Sequence, residues 1–343
     1  MVALIALQLG IAAGLLAATP GPSGWSLTAT PRDSAWPDPS PHRVRYVAVT
    51  RSVKLEVLDW GGSGPPLVFL AGGGNTAHVY DNFATRFTRR FHVFGITRRG
   101  FGKSSHPETG YDTTTLARDI VAILDSLGLK QASLVAHSFG GSELNYLGAH
   151  YPRRVDRLVY LDSGMDTYAI FRSPEWKSGV LRAPQPPTPA YDDDVGSAWS
   201  WTLWADRLSG PGYPEAEVRA TLKFDANDRF VGTTSVDAWL EKLDQAAEPV
   251  DLKRIRAPVL ALYAILDSPE AMLPYWDTLD STSRARGRKM FEALVQLHTR
   301  LRADFSERVR RARVVRIHGA RHYIFLTHPG EVTHAMLEFL SGA

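Results

Sequence analysis

LVAHSFGG, residues 134–141, sets a serine between an apolar run and a pair of glycines. A nucleophilic serine on a sharp strand-to-helix turn needs this setting. Its backbone is strained so that the hydroxyl stands clear, and the residues two before and two after must be small because strand and helix nearly collide. Ala136 and Gly140 meet that demand around Ser138, although alanine replaces the first glycine of G-x-S-x-G. An isolated string of this kind is a weak signal. Its neighbours decide the reading: an apolar strand ends at it, and FGGSELNYLGAHY opens a helix after it.

Outward from the serine, the chain repeats one grammar. PPLVFLAG, FHVFGIT, QASLVAHS, RLVYLDS, PVLALYAIL and RVVRIHG are continuous apolar runs, as strands buried on both faces of a parallel sheet require. Between the second and third, Leu116, Ile120, Ile123, Leu124 and Leu127 recur at helical spacing, with Gly128 where a C-terminal cap belongs. RVRYVAVT and VKLEVLDW instead alternate and are joined by too few residues for a helix, which predicts an antiparallel hairpin at one edge. The expected fold is therefore α/β: a mostly parallel sheet covered by helices, with an N-terminal antiparallel hairpin.

The alternation stops at residues 165–257, where Pro, Trp and acidic residues crowd RAPQPPTPAYDDD and SAWSWTLWADRL and no strand is evident. This segment reads as a helical cap or lid inserted at the carboxyl edge of the sheet, the edge where open α/β sheets bind ligands. The core would then comprise residues 43–164 and 258–343. Residues 281–311 read as one basic helix, whose charges predict a solvated face. Residues 1–42 read as a hydrophobic segment followed by a Pro-rich linker. The run MVALIALQLGIAAGLLAATPG has signal-peptide length but lacks Lys or Arg in its n-region and a clean cleavage site. It predicts secretion, a periplasmic location or an N-terminal membrane anchor. The competing reading, a misassigned start or a tail, leaves the protein cytoplasmic.

Bulk properties narrow the function. The 343 residues, 44% hydrophobic, are enough for a large core. A formal charge of +3 is slight at this length, which argues against nucleic acid and for a small-molecule substrate. No cysteine is present, so thiol catalysis, disulfides and cysteine-bound zinc are excluded. No H-E-x-x-H or comparable ligand spacing appears, so a metal centre is not expected.

A serine hydroxyl becomes nucleophilic only when a base takes its proton and an acid orients that base. His322, in the loop after the last strand run, is the expected base; His318 and His328 read as packing or surface residues. Asp267, at the end of PVLALYAIL, is the expected acid, with Asp162 and Asp166 after the preceding strand as alternatives, although Asp162 reads rather as a structural residue bonding loop amides at the strand end. The developing oxyanion needs amide donors. The N–H of Phe139 and that of Gly73, in the loop GGGN, are the expected pair. His78, farther along that loop, reads as pocket lining or surface.

These motifs, AGGGN, RRGFGKSS, AHSFGG, LVYLDS, the strand ending at Asp267 and GARHYIFLTHP, resemble the α/β-hydrolase fold superfamily, specifically its capped serine esterases and carbon–carbon bond hydrolases. The resemblance runs from about residue 43 to the C-terminus and implies a Ser138, Asp267, His322 triad, an acyl-enzyme and no cofactor. A serine at the elbow argues against alkyl-ester chemistry on aspartate. Three positions depart from the family pattern. Ala71-Gly72 stands where His-Gly is usual, Thr97 replaces the usual Asp of D-x-R-G-x-G-x-S, and a basic helix lengthens the gap between Asp267 and His322.

Two rival readings compete. Gly72 to Ala77 also fits G-x-G-x-x-A after a strand, and Arg98-Arg99 could hold an adenosine 2′-phosphate, as in an NADP-dependent oxidoreductase. Against it, the hairpin precedes the glycine loop and no Tyr-x-x-x-Lys pair occurs. The other rival is a non-catalytic ligand-binding protein on the same scaffold.

Overall fold

The computed structural model describes residues 36–185, 196–236 and 238–342. The apolar stretch at the N-terminus lies outside the described residues. Ten strands are described: β1 Arg43–Ala48, β2 Lys54–Gly61, β3 Pro66–Leu70, β4 His92–Ile96, β5 Ala132–His137, β6 Val155–Leu161, β7 Leu222–Phe224, β8 Phe230–Thr233, β9 Val259–Ile265 and β10 Ala312–His318. Eight of them form one sheet in the order β1-β2-β4-β3-β5-β6-β9-β10. β1 pairs antiparallel with β2, and β2 antiparallel with β4; every later pairing is parallel. The sheet is thus the α/β arrangement expected, with its hairpin at one edge.

Continuous apolar runs are needed because successive side chains enter opposite cores. Val135 of β5 packs into the cluster that also holds Phe69 and Leu260, whereas its neighbours Leu134 and Ala136 join Val68 and Ala261 on the other face. The helix Thr113–Ser126 covers that second face with Ile120, Ile123 and Leu124. Asp112 caps its start by accepting from the Thr115 N–H at 2.7 Å, and Gly128, at φ +70°, carries the chain out of it.

Between β6 and β9 the chain forms the helices Thr167–Arg172, Ala198–Ser209, Glu215–Thr221 and Trp239–Gln245, together with short helical turns at Pro174–Lys177 and Leu252–Arg254. The expectation that this interval lacks strands is corrected: β7 and β8 pair there as an antiparallel two-stranded sheet. Strands of three and four residues are too short to display a period of two. The helix Ser281–Arg308 is basic, as read, but not uniformly solvated: Met290, Leu294, Leu297, Leu301 and Phe305 are buried. Residues 36–42 are also less free than a linker would be. The His42 side chain is only 4% exposed, and the Trp36 ring lies 5.1 Å from the Arg219 guanidinium. Among the described residues no helix is long and apolar enough to cross a membrane.

Candidate active site

Strand register carries the ends of β3, β5 and β6 to a common edge. Leu70 pairs with Ala136, His137 with Leu161, and Leu161 with Leu262. The next residues along each strand, Ala71, Ser138 and Asp162, therefore leave the sheet side by side. Ser138 has φ +53° and Asp162 φ +51°. For non-glycine residues this left-handed backbone costs ~1–3 kcal/mol each, and it persists only where the surroundings over-determine it. The elbow is as tight as its residue types require. A Cβ added to Gly140 would stand 3.1 Å from the Ala136 Cβ and 3.0 Å from the Ala71 carbonyl oxygen.

His322 lies in the loop beyond β10, buried against the residue preceding the serine. The His137 and His322 ring centroids are 4.4 Å apart, and His137 Nε2 donates to the His322 carbonyl oxygen at 3.1 Å. His322 Nδ1 donates to Asp162 Oδ2 at 2.8 Å, which leaves Nε2 as the ring atom available for a proton. Burial pushes the His322 imidazole down to about 4, opposed by the Asp162 carboxylate. Burial pushes Asp162 the other way, but the hydrogen bond from His322 and the Arg302 charge outweigh it and hold the carboxyl well below its ordinary value. The pair is a neutral imidazole oriented by an ionised carboxylate, the state a general base needs.

The structure does not bring Asp267 to His322. Its side chain is 60% exposed, and its carboxylate lies 3.6 Å from His318, itself 72% exposed. Register explains the correction. The Ala264 N–H donates to Asp162 Oδ1 at 3.1 Å, so Asp162 is level with Ala264, while Asp267 lies three residues farther on, ~10 Å of extended chain. Asp166, the other alternative, caps the helix Thr167–Arg172 and pairs with Arg308 at 3.3 Å. His318 ends β10 at the surface, and His328 precedes the last helix, Pro329–Leu340.

Sequence reading missed Arg302. It projects from the basic helix, and its Nη2 donates to Asp162 Oδ1 at 3.0 Å and to the Ala264 carbonyl oxygen at 3.1 Å. A charge pattern read as a solvated face carries no signal for one arginine turned inward. The insertion that lengthens the gap between Asp267 and His322 thus supplies a cation to Asp162.

The glycine loop lies against the elbow: a Cβ on Gly73 would stand 3.5 Å from the Phe139 Cβ and 2.8 Å from the Trp239 ring. Gly72 is equally confined, since its Cβ would come within 3.1 Å of the Ser138 Cβ. Two buried devices hold this loop. Arg98 donates to the carbonyl oxygens of Ala71 and Gly72 while its fork grips Glu143 at 2.7 and 2.8 Å. From the segment between β6 and β9, Glu217 accepts from the Asn75 amide at 2.9 Å, from the Thr76 N–H at 3.0 Å and from the Thr76 hydroxyl. Burial raises the Glu217 carboxyl to about 7 despite these hydrogen bonds. Thr97, where the family pattern has an aspartate, donates to Glu56 and accepts from the Ala77 N–H.

Both arginines of the nucleotide reading are engaged internally, Arg98 with Glu143 and Arg99 with Asp119 at 2.7 Å. His78 is not at the surface: it is buried and bonds to Asp81 at 3.0 Å.

The family model described as alpha/beta hydrolase fold matches residues 65–329. A non-heme chloroperoxidase of Streptomyces lividans is 36% identical over 250 residues, covering 67% of this chain and 84% of that protein. A 2-(acetamidomethylene)succinate hydrolase of Mesorhizobium japonicum is 35% identical over 101 residues, 29% of this chain; the match spans only 36% of that relative's length. Among solved structures, E-2-(acetamidomethylene)succinate hydrolase superposes with a TM-score of 0.62 at 20% identity, covering 88% of this chain and 99% of that one.

Proposed function

Because the chain belongs to the α/β hydrolase fold family, we propose that it is a serine hydrolase cleaving a small, largely apolar ester-like substrate through an acyl-enzyme on Ser138. The observation that carries this reading is the buried 2.8 Å contact between His322 Nδ1 and Asp162 Oδ2 beside the strained elbow. His322 Nε2 takes the Ser138 proton as Oγ attacks the carbonyl carbon. The N–H groups of Phe139 and Gly73 receive the oxyanion. His322 then returns the proton to the leaving alcohol as the carbon–oxygen bond breaks. Water, deprotonated by the same imidazole, attacks the acyl-enzyme and releases the acid. Asp162, held by Arg302 and the Ala264 N–H, keeps the imidazole in the required tautomer. The apolar preference rests on Trp239 and Phe139, which flank Gly73.

Likeness to the chloroperoxidase recommends a second acceptor for the acyl group: hydrogen peroxide in place of water would give a peracid from the same intermediate. The test is a fluorophosphonate probe on the full chain, followed by p-nitrophenyl esters of varied length, a lactone, and an ester with added peroxide. Labelling confined to Ser138 and a turnover loss of several orders of magnitude in Ser138→Ala are expected. A loss below about tenfold, less than a single oxyanion donor is typically worth, would defeat the reading.

A further inference from the structure

Past the oxyanion loop, two imidazoles and two carboxylates face one another. His78 lies in the turn Ala77–Tyr80, Asp81 follows it, and Asp38 and His42 come from the segment before β1. One donor atom from each of the four lies within 4.8 Å of all the others. His42 Nδ1 is 2.9 Å from Asp81 Oδ1, and His78 Nδ1 is 3.0 Å from Asp81 Oδ2. Asp38 Oδ2 is 3.5 Å from His42 Nε2 and 4.0 Å from His78 Nδ1. Donor atoms on a tetrahedral zinc ion, with bonds of ~2.0–2.1 Å, stand ~3.3 Å apart. The four separations, 2.9 to 4.0 Å, bracket that spacing.

The surroundings support the same reading. Trp60 Nε1 donates to Asp81 Oδ1 at 3.0 Å, and Glu56 Oε1 stands 3.8 Å from His78 Nε2. A carboxylate on the ring nitrogen that faces away from the ion is the usual support of a metal-bound histidine. Three carboxylates, Asp38, Asp81 and Glu56, converge on two imidazoles, and both Asp81 and Glu56 are buried. This concentration of carboxylates around two imidazoles suits a divalent cation. Asp38, whose side chain is 32% exposed, leaves a way in.

We propose that Asp38, His42, His78 and Asp81 form a zinc site that fastens the segment preceding β1 to the core beside the oxyanion loop. Two nitrogens and two oxygens in a four-coordinate arrangement favour zinc over magnesium or calcium, which take six or more oxygens. The sequence-based expectation of no metal looked for ligands closely spaced on one element. Here two short pairs, Asp38-x₃-His42 and His78-x₂-Asp81, meet across the fold.

The experiment strips the full chain with a chelator and titrates it with zinc chloride by calorimetry. Cobalt(II) is then substituted, and its visible absorption reports the coordination number. One zinc per chain, a tetrahedral cobalt spectrum and a Tm rise of about 5 °C at a hundredfold excess over Kd are expected. His42→Ala and Asp38→Asn, both in the segment before β1, should each weaken zinc binding by more than about tenfold, since even supporting residues are worth that much. His318→Ala should not. Failure of zinc to saturate at one equivalent, an octahedral cobalt spectrum, or unchanged affinity in both variants overturns the site and leaves the imidazoles as hydrogen-bond partners of Asp81 alone.

Discussion

Replacing Asp162 by asparagine turns one carboxylate oxygen into an amide group and leaves the volume almost unchanged. The structure dictates which way the amide settles. Oδ1 accepts from the Ala264 N–H at 3.1 Å and from Arg302 Nη2 at 3.0 Å. Both partners only donate, so the amide oxygen must stay with them. The NH₂ then faces His322 Nδ1, across the 2.8 Å contact the carboxylate now makes. A donor at that position needs an acceptor, so the imidazole must move its proton to Nε2, the atom that has to take the serine proton. A carboxylate-to-amide change in a Ser-His-Asp triad lowers kcat by ~10⁴, which is about 5 kcal/mol of transition-state stabilisation. Asp267→Asn, at a carboxylate that is 60% exposed, should leave kcat within about twofold. The assay is hydrolysis of p-nitrophenyl butyrate, with Tm measured alongside to separate misfolding from mistuning. If Asp162→Asn keeps more than a tenth of the activity, or Asp267→Asn loses as much as Asp162→Asn, the tautomer argument is wrong.

Three further outcomes are expected. A base must be unprotonated, so activity is complete above its pKa and lost as pH falls through it. With His322 lowered to about 4, kcat/KM at pH 5.5 should stay within about threefold of its value at pH 7.5, where an ordinary imidazole would already be about nine-tenths protonated at the lower pH; an acid limb centred at 6.5 or above contradicts this. Arg98→Met leaves Glu143 buried without its partner and frees the carbonyls of Ala71 and Gly72; urea unfolding should show a loss of ~3–5 kcal/mol, and a loss below about 1 kcal/mol would mean the fork contributes little. Glu217, raised to about 7, holds a proton in the folded state that the unfolded chain, near 4.5, releases. Its contribution is full below 4.5 and lost as pH rises through 7, so Glu217→Gln should flatten the decline of Tm over that window, and an unaltered pH slope would remove Glu217 as its source.

Much of the architecture was legible along the chain. Apolar runs that enter two cores, a helical repeat ending at Gly128 and an alternating hairpin are local signals, and they predicted the sheet as it is found. The elbow was equally local: the small residues Ala136 and Gly140 are demanded by a collision that Ser138 creates within two residues on each side. His322 was legible by position, in the loop after the last strand run. The helix Ser281–Arg308 was legible as a helix and misread as a solvated face, because its pattern of basic residues does not distinguish Arg302 from its neighbours.

What tertiary structure alone decided is which partners meet. Asp162 and Asp267 both follow apolar strands, and nothing within either stretch separates them. The choice lies in the pairing of Leu161 with Leu262, a register between parallel strands joined by a long insertion. Side-chain alternation specifies which face a residue occupies, but a parallel strand can slide by two residues without changing that alternation. Only the packed sheet fixes how far each strand extends past the edge, and so which carboxylate stands beside His322. The same reasoning covers Glu217 on Thr76 and Asp81 beside His42: acidic groups far from their partners in sequence, whose burial is tolerable only because the fold brings each a partner.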